Sequence, residues 1–178
     1  MRKIILSILA VAAFGTANAQ DGNPSSALSE GSWLVEGNTA FGAAHASSTA
    51  FSLWSQDGYS SWSLGGEVGY FVMENLAIKA GLGYGSSKYD GSSAISSFSY
   101  KIGAKYYIIS QIPVQVDFSG ASIKDRDENP SYLGLQAGYA WFVAPNVSIE
   151  PGLRYNVSLN SDFYEDVLQF NIGFALHF

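Results

Sequence analysis

From Trp33 to the last residue the side chains change character with a period of two, and this constrains the fold more than any other feature. The final segment is the clearest case: Leu168, Phe170, Ile172, Phe174, Leu176 and Phe178 alternate with Gln169, Asn171, Gly173, Ala175 and His177. Seven further segments alternate in the same way, around Trp33–Phe41, Ser61–Tyr70, Leu76–Tyr84, Phe98–Tyr106, Val114–Ser119, Leu133–Trp141 and Val147–Asn156. A helix would repeat its apolar face every three to four residues, whereas successive side chains of a strand point to opposite faces. The expectation is all-β, with about eight strands of roughly nine to eleven residues, the length a tilted strand needs to cross a bilayer.

Charge decides which face of these strands is turned inward. Within the alternating segments Glu36, Glu67, Lys79, Lys101, Lys105, Asp117, Glu150 and Arg154 all share the non-aromatic parity. They are four acids and four bases, so this face is neutral as a set and its members can pair across a narrow interior, where an isolated charge would be costly. The same face is rich in glycine, including Gly81, Gly83, Gly103, Gly134 and Gly138, which leaves room for long charged side chains. The opposite face is apolar and carries two sets of aromatics. Trp33, Tyr70, Tyr106, Trp141 and Phe178 fall at one end of the strands, and Phe41, Tyr84, Phe118 and Tyr155 at the other. Aromatic belts of this kind mark the two interfaces of a membrane.

The connections alternate in length. Short turns around Met73–Asn75, Ser110–Pro113 and Ala144–Asn146 alternate with longer Ser-, Gly- and Asp-rich stretches near 42–58, 85–96, 120–131 and 157–166. That is the layout of an antiparallel up-and-down barrel with its long loops facing outward. Pro151 fits poorly, because it lies within the seventh strand and has no N–H for the ladder, so a bulge or a missing bond is expected there.

The N-terminus reads as a leader. Arg2 and Lys3 precede an apolar run from Ile4 to Phe14, and Ala17-Asn18-Ala19 supplies a small-x-small cleavage pattern. The expected organisation is a signal peptide over 1–19, a short polar periplasmic tail over 20–30, and a barrel domain over 31–178. Loss of the leader takes the formal net charge from −6 to about −8. That balance disfavours nucleic-acid binding, and the absence of cysteine excludes disulfides, thiolate metal sites and cysteine nucleophiles.

The C-terminal octapeptide Asn171-Ile172-Gly173-Phe174-Ala175-Leu176-His177-Phe178 resembles the assembly signal of outer-membrane barrels, with Asn171, Gly173, Leu176 and the terminal Phe178 at its defining positions. Over residues 31–178 the chain resembles the small eight-stranded outer-membrane β-barrel family typified by OmpX and the OmpA membrane domain. The resemblance implies a monomer in a Gram-negative outer membrane, contact with lipid and lipopolysaccharide, and assembly by the BAM machinery. It implies no cofactor.

Little in the sequence points to catalysis. Some relatives in that family modify lipid A, which would call for a serine, a histidine and an acid near the outer leaflet. His177 falls at the opposite end, and His45, beside Ser47 and Ser48, lies in the first long stretch with nothing to fix a constellation. Asp125, Asp127 and Glu128 depart from calcium-loop spacing and are offset by Lys124 and Arg126, so a solvated loop is expected. Phe51, Leu53, Trp54 and Tyr59 are different, since aromatics beyond the membrane are a candidate contact surface for an extracellular partner. The expectation is a non-enzymatic barrel with a filled interior and a structural or surface-interaction role. A narrow pore and a lipid A-modifying enzyme are the alternatives.

Overall fold

A computed structural model of the chain describes residues 24–41 and 52–178. A short helix, α1 (Pro24–Ala27), precedes ten strands: β1 (Trp33–Phe41), β2 (Ser52–Gln56), β3 (Tyr59–Met73), β4 (Leu76–Tyr89), β5 (Ile95–Ile108), β6 (Ile112–Ile123), β7 (Ser131–Gly138), β8 (Trp141–Ala144), β9 (Val147–Ser158) and β10 (Val167–His177). Each pairs antiparallel with its neighbours, and β1 pairs with both β10 and β3, so the sheet closes on itself. β7 and β8 follow one line against β9, with Gly138 opposite Gly152 and Trp141 opposite Ile149 in unbroken register. They form one stave, β2 follows β1 along the same edge of β3 toward the long loops, and the result is a closed barrel of eight.

The break between β7 and β8 falls where Tyr139 meets Pro151. The Tyr139 N–H donates to the Pro151 carbonyl at 3.0 Å, and proline has no N–H to complete the pair. The irregularity expected at Pro151 is therefore a missing bond rather than a bulge. The stave keeps its parity across the break, with Tyr139 and Trp141 exposed and Ala140 buried.

β6 and β9, with 12 residues each, slightly exceed the expected nine to eleven, and β3, β4 and β5 are longer still, with 15, 14 and 14. Their extra length is on the long-loop side. The first long stretch is correspondingly shorter as a loop, because β2 folds back on β3 through Asp57 and Gly58, whose φ angles are 36° and 80°. Two successive positive φ values favour the tight turn whose twist suits a hairpin, and Asp-Gly suits that turn. Residues 52–56 are rich in serine and weakly patterned, which is why they read as loop.

The alternation sorts charge inward and grease outward. Leu82, Ile102, Leu153 and Leu168 are each about 60% exposed or more, while Glu36, Lys105 and Arg154 are at 1% or less. In water this would be inside out, so the exterior needs a hydrocarbon solvent. No helix among the described residues is long and apolar enough to cross a membrane. Trp33, Tyr70, Tyr106, Trp141 and Phe178 ring the short-turn end of this exterior, and Tyr84, Phe118 and Tyr155 the long-loop end, all exposed. Phe41 is in β1, opposite Phe170.

Two outcomes follow from this arrangement. Ile102→Arg places a cation on the outer face near mid-height and is expected to cost about 2–4 kcal/mol in denaturant unfolding from lipid vesicles, whereas a water-facing site would tolerate it. Pro151→Thr restores a donor opposite Tyr139, and its new amide should exchange with deuterium as slowly as its ladder neighbours.

Candidate functional site: the lumen and the outer rim

Alternation brings all eight inward charges to one height range, and the structure joins them. Lys79 Nζ lies 2.7 Å from Glu36 Oε2 and 2.9 Å from Glu67 Oε2. Lys101 Nζ reaches Glu67 Oε1 at 2.8 Å, and Lys105 Nζ reaches Glu36 Oε2 at 2.8 Å and also pairs with Glu150. Arg154 grips Asp117 with both terminal nitrogens, each at 2.6 Å. Gln115 links the two groups, accepting from Lys79 Nζ at 2.9 Å and donating to Asp117 Oδ2 at 2.7 Å.

Neutral polar side chains complete the lattice, and the charge pattern alone did not single them out. Asn38 donates to Glu36 at 2.6 Å and to Glu67 at 3.1 Å, and accepts from Asn171 at 3.1 Å. Arg154 Nε donates to Asn156 Oδ1 at 2.8 Å, and Asn156 donates to Gln169 at 3.3 Å. The Tyr107 and Ser148 hydroxyls donate to Glu150 Oε1 at 2.9 and 2.8 Å. All of these share the inward parity, which is the signal that could have found them. Each carboxylate thus meets cations and uncharged donors together, the condition under which buried charge is tolerated.

The lattice also needs space. A Cβ at Gly134 would run into the Arg154 guanidinium, and one at Gly103 into Asp117 Cβ and the Val116 carbonyl oxygen. At Gly134 a long charged side chain crosses the strand, and at Gly103 the neighbouring strand itself comes close.

Below the lattice, at the short-turn end, the interior turns apolar. Leu28, Leu34, Phe71, Ala77, Tyr107, Ala140 and Ala175 form a buried cluster with Phe142 against it. His177 sits among these rings, 5.4 Å from Phe142 and 6.2 Å from Phe71 between centroids. Its Nε2 is 3.2 Å from Ser148 Oγ, but Ser148 and Glu150 are buried in the lattice and the three hold strand ends together. His45, Ser47 and Ser48 lie outside the described residues.

The C-terminal residues serve the seam. Asn171 and Gly173 face inward beside Asn38, and Leu176 is opposite Val35 and Val147. Phe178 is exposed and exchanges backbone bonds with Trp33, at 3.0 and 2.9 Å.

At the outer rim, of the four proposed contact residues, Leu53 and Tyr59 lie on opposite faces of one hairpin. Phe51 lies outside the described residues, and Leu53 and Trp54 belong to β2. Leu53 is exposed opposite Trp62, while Tyr59 is on the other parity of the hairpin with its ring 4.7 Å from that of Tyr89. Consecutive strand residues alternate faces, so a contact surface here is a hairpin with two sides.

The loops after β6 and β9 are cross-tied instead. The Tyr164 hydroxyl donates to the Glu128 carbonyl at 2.8 Å and Asn160 Nδ2 to Glu128 Oε2 at 3.1 Å. Glu128 and Tyr164 line a shallow cleft with Arg126, Asp127 and Phe163. Among the described residues no cluster of three or more acidic or histidine side chains is arranged to hold a metal ion. Asp166 is held below the ordinary carboxylate value of 3.8 by the Ser158 N–H and then by the Tyr155 hydroxyl, both donating to it. That tie is present at neutral pH and is lost only as pH falls through the lowered value.

No family model matches the chain, and no curated protein matches it. Among solved structures, it is similar to the outer membrane protein Ail of Yersinia pestis in a phospholipid nanodisc, at 14% identity over 84% of this chain and 100% of that one, with a TM-score of 0.49. Neisserial surface protein A is similar at 17% identity over 83% and 98% of the two chains, with a TM-score of 0.46. The N-terminal β-barrel domain of Pseudomonas aeruginosa OprF is similar at 15% identity over 84% and 98%, with a TM-score of 0.43.

The Asp117–Arg154 pair gives a direct energetic test. Asp117→Ala strands a buried guanidinium and is expected to cost about 3–5 kcal/mol of unfolding free energy in vesicles. Asp117→Leu combined with Arg154→Met should recover most of that loss, because the pair's main cost is incurred when one partner remains alone.

Proposed function

We propose that this chain is an exported outer-membrane barrel that does not conduct, and that it serves the envelope as a structural element or through its outward loops. The observation that carries this reading is the continuous lattice from Tyr107 to Gln169, which fills the lumen with side chains from β1, β3, β4, β5, β6, β9 and β10. An eight-stranded barrel is just wide enough to be filled by side chains, and a conducting path would need these ion pairs broken. The exposed apolar exterior and its aromatic belts support residence in a bilayer with lipid as the constant partner. The basic-apolar leader and the C-terminal Asn171, Gly173, Leu176 and Phe178 pattern support export and delivery to the outer-membrane assembly machinery. With the lumen full, recognition of an extracellular partner falls to the rim, and the β2–β3 hairpin with Leu53 and Tyr59 is the first surface to alter. A monomer suffices, since every stave finds its partners within one chain.

Single-channel recording of the refolded protein in a planar bilayer tests the closed lumen. The expected result is an inserted, silent barrel. A reproducible open current that changes when Lys79 and Glu36 are truncated together would replace this reading with that of a narrow pore.

A further inference from the structure

We propose that residues 24–32 are a hinged cork, which closes the short-turn mouth of the barrel and can leave it without the barrel unfolding. In the sequence the segment reads as part of a short polar periplasmic tail, yet Leu28 is fully buried in the apolar cluster with Leu34, Phe71 and Tyr107. The seat is matched to it. Leu34, Phe71, Ala77, Tyr107, Ala140 and Phe142 interrupt the polar parity of their strands at the same end of the barrel, and together they make an apolar socket under a charged lattice.

The attachments are few and local. The Leu28 carbonyl accepts from the Asn75 N–H at 2.8 Å, the Gly31 N–H donates to the Phe71 carbonyl at 2.9 Å, and the Phe71 N–H donates to the Ser32 carbonyl at 2.9 Å. Gly31 has a φ of 89°, a conformation open to glycine and strained for other residues, where the chain turns from the cork into β1. Among the described side chains of the cork Ala27 and Leu28 are the buried ones, whereas the staves behind it are paired along both edges. A unit with so few buried contacts opens at a lower free energy than the whole.

Its position says what it guards. His177 sits among the rings of Phe71, Tyr107 and Phe142 in the socket that Leu28 fills, and leads through Ser148 to Glu150 and Lys105. The cork keeps water from this end of the lattice. The lumen then has two closures in series, and loss of the lower one leaves the ion pairs above still filling it.

His177 also reports on the cork, because the chain has two histidines and the other is His45. In a His45→Gln background, modification of His177 by diethyl pyrocarbonate in detergent micelles is followed by mass spectrometry. It is compared with the same chain carrying Leu28→Ala and with one lacking residues 24–30. Folding of each is verified by the change in gel mobility on heating. The parent should be protected, Leu28→Ala should react at least about tenfold faster, and the deletion faster still, with all three folded. Equal rates in three folded barrels, or a parent that reacts like a free histidine, would overturn the proposal. So would a Leu28→Ala chain that fails to fold, since Leu28 would then belong to the barrel's own core. Conductance does not enter this test, so its outcome is separate from that of the closed-lumen reading.

Discussion

The seam between the first and last strands governs the rest of the molecule. β1 pairs with β10 from Leu34–His177 to Phe41–Phe170 and with β3 on its other edge, and Trp33 and Phe178 exchange the final backbone bonds. In hydrocarbon an unpaired N–H or carbonyl has no water to turn to, so a sheet that crosses a bilayer has to close. Closure with eight staves fixes a narrow interior, and one parity of every strand is committed to it. What those inward residues are then determines whether the barrel holds a channel, a ligand or a solid core.

Here they make a solid core of opposite charges. Four acids and four bases neutralise one another through shared contacts: Glu36 serves Lys79 and Lys105, and Glu67 serves Lys79 and Lys101. Such pairs are a weak source of net stability, because desolvation offsets most of their attraction. Their stronger effect is on register. A slip of one residue would turn Glu67 or Lys101 to the lipid and leave its partners alone inside. Gly134 and Gly103 extend the same dependence, since the Arg154 guanidinium lies against the first and the β6 chain at Val116 and Asp117 packs too close to the second to admit a Cβ.

Much of this was legible in the sequence. Alternation is a local property of each strand, so the parity of Glu36, Lys105 and Arg154 could be read without knowing any contact. The pairing itself could not, because Lys105 meets Glu36 and Glu150 through register and closure, which are properties of the whole ring. The β2 hairpin was hidden by serines with no apolar alternation, although Asp57-Gly58 marked its turn. The cork was hidden because one leucine in a polar stretch carries no period. Its socket did leave a trace, since Leu34, Phe71, Tyr107 and Phe142 are apolar residues on the polar parity, all near the short turns. The separation of Leu53 from Tyr59 follows from the same alternation once the stretch is known to be a strand.

The central claim is that the apolar parity meets lipid while the charged parity fills the inside. In a Trp54→Phe background, tryptophan quenching by brominated phospholipids tests it most directly, because the remaining Trp33, Trp62 and Trp141 are all on the outer parity and exposed toward the barrel's two ends. In vesicles whose acyl chains are brominated near the glycerol end, the fluorescence should be strongly quenched, and bromines near the terminal methyl should quench less. Emission characteristic of water and unaffected by either lipid would contradict the account.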